Sequence, residues 1–254
     1  MLMYHSIATR PGDDFSVPPE RLAEQLGALR AAGFALIGLT EALERRAGGD
    51  RRRVVALTFD DGYLDFLTAG LPVLADAGAT ATLYPAVAHL GGPATWLGPA
   101  AASHPLLRWD QLAEVADAGV EIGSHGLEHR PLDVRGRDEV GHEVTASRDR
   151  LAQRLGRPVR SFCYPHGYHD RTVREAVRAA GYDNACEIGH RRHRPDGDRF
   201  AVSRFKATPG LDGPAVVDLV RGGGPRLVPA AKRLAGPAWR LTRRVAGRAG
   251  RDLT

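Results

Sequence analysis

At 254 residues, the chain is long enough for one large domain or two small ones with a well-buried core. Hydrophobic residues make up 43% and charged residues 26%, and 30 Gly with 17 Pro fall short of the excess that marks disorder, so a folded globular protein is expected. No apolar run approaches the length of a spanning helix, and Met1-Leu2-Met3-Tyr4-His5 lacks the basic region and apolar stretch of a signal peptide, so a cytoplasmic protein is expected. Two cysteines, Cys163 and Cys186, exclude a disulfide framework and a Cys-type zinc site, and they read as small buried residues of strands.

In chain order, apolar runs predict strands near 1–4, 34–37, 54–59, 79–84, 120–124, 159–163, 184–188 and 200–205. Helix-period stretches lie between several of them, near 18–32, 64–77, 109–118 and 170–180. Each of these helices ends on an Ala-Gly pair, with Gly33, Gly78, Gly119 or Gly181 placed to take the left-handed C′ conformation without a Cβ penalty. The alternation of strand and helix predicts an α/β fold, a distorted (β/α) barrel of seven or eight parallel strands.

The formal charge of +5 is unevenly placed. From Arg221 onward nine basic residues face one acid, Asp252, which leaves residues 1–220 with a net charge of −3. The composition shift after Gly222-Gly223-Gly224-Pro225 sets the expected division into a barrel, 1–222, and a basic C-terminal tail, 223–254. Leu227, Ala231, Leu234, Ala238, Leu241 and Val245 form a narrow apolar stripe in that tail, with Pro229 and Pro237 kinking it. Residues 226–254 are therefore expected to contact an anionic membrane face peripherally, against the alternatives of a helix packed on the barrel or a disordered tail. No aromatic stacking platform accompanies the charge, so nucleic acid is not expected as a partner.

The polar residues that break the strand pattern fall at predicted strand ends: His5, Asp60-Asp61, His125, Pro165-His166-Gly167 and Arg204. In a βα barrel those ends converge on one mouth. Asp60-Asp61 together with His125 and His129 offers one carboxylate and two imidazoles for a divalent cation, with a second carboxylate to spare for proton transfer. Three protein ligands leave a position open for water, which suits hydrolysis at a carbonyl.

Thr58-Phe59-Asp60-Asp61-Gly62-Tyr63, Ser124-His125-Gly126-Leu127-Glu128-His129 with Pro131-Leu132, and Phe162-Cys163-Tyr164-Pro165-His166-Gly167 resemble the motifs of the polysaccharide deacetylase (NodB-homology) family over about residues 1–210. Tyr4-His5-Ser6, Arg108-Trp109-Asp110-Gln111-Leu112 and Ser203-Arg204 are similar to its poly-N-acetylglucosamine deacetylase-like branch. The resemblance implies metal-dependent removal of N-acetyl groups from a glycan or glycolipid. It makes Asp60 the general base and Asp61, His125 and His129 the ligands of one divalent cation, zinc first, with cobalt, nickel or manganese as alternatives. It places Tyr164, Pro165 and His166 against the substrate.

The sequence departs from the family pattern at three places. Gly126 stands where a Ser or Thr would steady the metal loop; in the third motif Cys163 stands where an Arg would orient the base and His166 where a Tyr would offer its backbone N–H to the oxyanion, which His166 can still do; and no C-terminal Leu-x-Leu-x-His supplies a general acid. His5, on the first strand and so beside the last one in a closed barrel, is expected to replace that acid, with His166 as competitor. Arg204 is expected to orient Asp60. A metal-dependent hydrolase of a small non-sugar amide and an inactive glycan-binding module are the alternative functions.

Overall fold

In the computed structural model, residues 1–194 and 196–223, with Trp239 and Thr242, are described. The eight expected strands are all present: β1 (Leu2–Tyr4), β2 (Ala35–Ile37), β3 (Val54–Asp61), β4 (Thr82–Pro85), β5 (Glu121–Ile122), β6 (Ser161–Cys163), β7 (Asn184–Ile188) and β8 (Val202–Lys206). All pair in parallel, in the order β5-β4-β3-β1-β8-β7-β6. Just past β5, Ser124 bridges to Phe162 on β6, with Ser124 N–H donating to Ser161 and Cys163 N–H donating to Ser124, which joins the two ends of that order. The barrel thus has seven strands in its wall. β2 stays outside the ring, paired only with the first half of β3.

The helices are α1 (Pro19–Ala31), α2 (Leu39–Ala47), α3 (Leu71–Asp76), α4 (Trp109–Asp117), α5 (Arg137–Leu155), α6 (Arg171–Ala179) and α7 (Gly213–Asp218). Gly33, Gly78, Gly119 and Gly181 all have positive φ, as their expected helix-stop role requires. The helix expected over 64–77 begins as a π-turn, Phe66–Gly70, and becomes α-helical only at α3, where Pro72 lies in the first turn and has no N–H to donate. The longest helix, α5, was not expected from the glycine pattern of the other four, although Gly156 caps it in the left-handed conformation.

Two main cores follow from this layout, beside a small third cluster of Tyr63, Ala94 and Leu106. The larger lies between the barrel wall and the outer helices and includes Leu22, Leu26, Leu57, Phe59, Leu112 and Val144. The smaller fills the barrel interior, where Leu39 and Ala42 of α2 pack with Ala56, Tyr84, Cys163, Cys186 and Val202. α2 also ties strands together at their starts: Thr40 bonds Glu121 of β5 and accepts from Asn184 of β7 at 2.9 Å, and Glu44 pairs with Arg160 at 2.5 Å. Leu39 and Ala42 thus occupy the floor of the barrel, at the end away from Asp60 and Asp61. No helix among the described residues is long and apolar enough to cross a membrane. The expected amphipathic tail lies outside the described residues, apart from Thr242 and Trp239, whose indole N–H donates to the Tyr168 hydroxyl at 3.0 Å.

The closure between β5 and β6 depends on the absence of a side chain at residue 123. A Cβ on Gly123 would sit 2.3 Å from Cε1 of Tyr84 and 2.8 Å from the Ser161 carbonyl oxygen, and the Tyr84 hydroxyl is itself bonded to Ser161 Oγ at 2.6 Å. Gly123→Ala is therefore expected to destabilise the fold by about 1–3 kcal/mol through overpacking. Gly141→Ala, inside α5 with open space around it, is expected to stabilise by about 0.5–1 kcal/mol. Urea unfolding midpoints at unchanged m-value measure both.

Candidate active site

β3 runs to the mouth and ends on Asp60 and Asp61, both nearly inaccessible. Consecutive strand residues point to opposite sides, yet both carboxylates reach the site because Asp61 leaves the β conformation, at φ 72°. Gly62 follows with φ 83° and lies so close to Pro85 that a Cβ would come within 2.9 Å. His129 and His166 also have positive φ, 53° and 57°. Such backbone costs about 1–3 kcal/mol per non-glycine residue, and its concentration here marks a site whose surroundings hold it in place.

Oδ1 of Asp61 lies 3.4 Å from Nε2 of His125 and 3.2 Å from Nε2 of His129. It is buried without a hydrogen-bond partner among the described residues. Donor atoms around a tetrahedral cation with bonds of about 2.0–2.1 Å stand about 3.3 Å apart, so this spacing fits a metal ion better than it fits a set of hydrogen bonds. The group Asp61, His125 and His129 is one of two that could hold an ion; the other is Asp60, His125 and Cys163. Nδ1 of His125 is 2.8 Å from the Cys163 carbonyl oxygen, an arrangement that leaves Nε2 free of a proton to act as a ligand.

Arg204 binds Asp60 in a bidentate fork, Nη1 to Oδ1 and Nη2 to Oδ2, both at 2.7 Å. Nη1 also donates to Thr58 Oγ1 at 2.8 Å, and Nη2 lies 3.0 Å from Cys163 Sγ. The arginine is 0% exposed and Asp60 2%. Arg204 is the third residue of β8 rather than its last, since the strand continues through Phe205 and Lys206, which pair with Leu2 and Met3 of β1. Its long side chain therefore rises inside the barrel to reach the mouth.

Electrostatics follow from these contacts. Burial works against ionisation of both aspartates, but Arg204 holds Asp60 below the ordinary carboxylate value, and the imidazoles of His129 and His125 hold Asp61 well below it. His125 is shifted up, its burial outweighed by the two aspartates, while burial carries His129 down. Burial also lowers His5, against the opposing charges of Asp61 and Asp60, and drives His166 to about 3.

His5 follows β1, which lies between β3 and β8, and its ring meets Phe15 edge-on at 4.8 Å. Nε2 of His166 lies 3.3 Å from the His129 carbonyl oxygen, and the His166 ring packs edge-on to His129. Pro165 is buried beside it. Tyr164 is turned away from the mouth: its ring is fully buried and its hydroxyl donates to the Phe200 carbonyl oxygen at 2.8 Å. Cys163 and Cys186 are buried and in register on β6 and β7.

Three supporting residues escaped the sequence reading. Glu143 of α5 accepts from the N–H groups of Leu127 at 2.8 Å and Glu128 at 3.0 Å, so it anchors the loop between His125 and His129. The anchor expected from a hydroxyl at position 126 is thus supplied from a helix, and Gly126, at φ 77°, turns the loop instead. Asp65 holds the chain after His5 by accepting from Ser6 Oγ at 2.6 Å and Ile7 N–H at 2.9 Å. Trp96 packs against His129 with centroids 4.1 Å apart and the rings tilted by 30°. The signal for Glu143 was a polar residue on the stripe Val140, Val144, Ser147 and Leu151; Asp65 and Trp96 had none.

Residues 47–185 match the model of the polysaccharide deacetylase family. The chain belongs to that family. YxkH of Bacillus subtilis, which is named for the same family, is 24% identical over 217 residues, 85% of this chain and 73% of its own. Among solved structures, Streptococcus pyogenes deacetylase PplD in complex with acetate aligns with TM-score 0.76 and 22% identity, over 86% of this chain and 96% of its own. IcaB from Ammonifex degensii aligns with TM-score 0.73 and 23% identity, over 87% and 95%. These two share the barrel.

Removing one member of a buried ion pair leaves the other charge uncompensated. Arg204→Met is therefore expected to cost about 3–5 kcal/mol of stability at neutral pH. Asp60→Asn added to it is expected to recover part of that loss, and a double-mutant cycle by chemical denaturation measures the coupling.

Proposed function

We propose that this polysaccharide deacetylase is a metal-dependent N-deacetylase that hydrolyses the acetamido group of an N-acetylated sugar, in a glycan or glycolipid, and releases acetate. The observation that carries the reading is the buried, unbonded Oδ1 of Asp61 between two imidazole nitrogens, next to a second carboxylate held by an arginine. Family membership supports the sugar substrate, and PplD, a deacetylase of the same fold, was solved with acetate.

Asp61, His125 and His129 would hold the divalent cation, zinc first. A cation there would polarise the amide carbonyl and make water a better nucleophile at neutral pH. Asp60, kept ionised by Arg204, takes a proton from the attacking water. Arg204 fixes the direction of that carboxylate. His5 gives a proton to the departing sugar amine as the C–N bond breaks. His5 is preferred over His166 because Nε2 of His166 already faces the His129 carbonyl oxygen. Pro165 and His166 contact the substrate at the mouth, with the His166 N–H available to an acyl oxygen, and Tyr164 contributes through its backbone because its ring is buried.

Acetate release from N-acetylglucosamine oligomers, with small N-acetylated amides in parallel and a chelator control, tests the reaction. Release from the sugars alone, abolished by chelator, is expected; no release from any sugar overturns the reading. His125→Ala is expected to lose metal and activity together, and stoichiometric metal retained by that variant, read by elemental analysis, would sink the ligand assignment. Asp60→Asn is expected to keep its metal while turnover falls by about 10²–10⁴.

A further inference from the structure

A cleft of about 670 Å³ opens at the pole of the barrel opposite the mouth, where the strands begin. It is lined by Val54, Val55 and Ala56 at the start of β3, by α2 and the loop after it, and by the segment joining β7 to β8. Eight arginines line it: Arg52 grips the one lining carboxylate, Asp50, at 2.6 and 2.9 Å, Arg45 pairs with Glu41 at 2.6 Å and Arg194 with Asp196 at 3.2 Å, and five are left without a carboxylate among the described residues. The concentration is local, because residues 1–220 as a whole carry a net charge of −3.

Arg46, Arg51, Arg53, Arg192 and Arg199 are all exposed, and none of them forms an ion pair with a carboxylate among the described residues. Arg46 and Arg192 reach only backbone carbonyl oxygens, at 3.5 and 3.3 Å. A run such as Arg51-Arg52-Arg53 alone reads as a solvated loop. Here Arg192 and Arg199, about 140 residues further along the chain, line the same concavity from another segment. Like charges gathered without counter-charges raise the energy of the folded state, and a bound anion removes that cost. Guanidinium groups match phosphate oxygens in a bidentate fork, and the cleft also offers partly exposed apolar surface at Phe34, Leu43 and Val54.

We propose that this cleft is a binding site for a multiply charged phosphate-bearing anion, with any organic part of the ligand lying on Phe34, Leu43 and Val54. Because the floor of the barrel separates it from the mouth, its occupancy is independent of the hydrolytic reaction. The phosphate can come from a soluble ester or from a lipid headgroup, and the two sources are separable by experiment.

The full chain is titrated with inorganic pyrophosphate and, separately, with vesicles of pure phosphatidylglycerol and of pure phosphatidylcholine, all at one ionic strength. The same titrations are run on Arg51→Gln/Arg53→Gln/Arg199→Gln. The variant is expected to bind about tenfold more weakly or worse, with acetate release unchanged. Loss of pyrophosphate binding in the variant assigns a soluble phosphate ligand, whereas loss confined to phosphatidylglycerol vesicles assigns a lipid headgroup. The basic C-terminal segment is present in both proteins, so any binding it adds is common to them. Equal affinity of the two proteins for every probe, equal binding to both kinds of vesicle without pyrophosphate binding, or no binding at all overturns the proposal. Should the triple variant fail to fold, Arg51→Gln and Arg199→Gln are measured singly; each is expected to weaken binding, and unchanged affinity in both overturns it.

Discussion

The fork between Arg204 and Asp60 is the interaction on which the catalytic end of this barrel depends. An isolated carboxylate moved into so dry an interior would take up a proton rather than remain charged. Two charge-assisted hydrogen bonds of 2.7 Å from a guanidinium with no exposure reverse that preference. The same arginine satisfies Thr58 and contacts Cys163, so β3, β6 and β8 meet at one side chain. Family members that carry an arginine on the third motif would introduce the charge from β6. Here it comes from β8, and the small thiol of Cys163 leaves room for it.

Two further ties hold strained backbone around that fixed pair. The loop carrying His125 and His129 has no hydroxyl of its own at position 126, and Glu143 ties it to the longest helix through two backbone N–H groups. The chain carrying His5 is tied by Asp65 just after β3, so the residue proposed as acid and the one proposed as base are referred to the same strand. A strained φ at Asp61, His129 and His166 persists only because these ties over-determine the backbone.

Much of this was legible in the chain because local rules and fold agree. The eight apolar runs became strands, and the four Ala-Gly stops ended helices, since a left-handed C′ residue is a local requirement that glycine meets cheaply. Parallel pairing brought Asp60 and His125 to one mouth, while Asp61 needs its left-handed φ and Arg204 its long side chain to reach it. What escaped was non-local. β2 lies outside the ring, paired only with β3, and no pattern in residues 35–37 announces it. Glu143 acts on backbone amides, which leave no side-chain signature at residues 127 and 128. α5 carried its own signal, a stripe of Val140, Val144 and Leu151 ending before Gly156, but its many charged residues hid it.

A barrel of parallel strands has two unlike ends, and this chain uses the difference. At the end where strands finish, each aspartate meets cationic or imidazole partners inside the protein, so charge is balanced internally. At the end where strands begin, eight arginines line a cleft, and five of them have no carboxylate partner among the described residues. α2 lies between the two ends, with Leu39 and Ala42 packed against Ala56, Tyr84, Cys163, Cys186 and Val202 in the barrel interior. β2, which leads directly into α2, stays outside the barrel wall, so the segment 35–47 supplies the packing between the two ends.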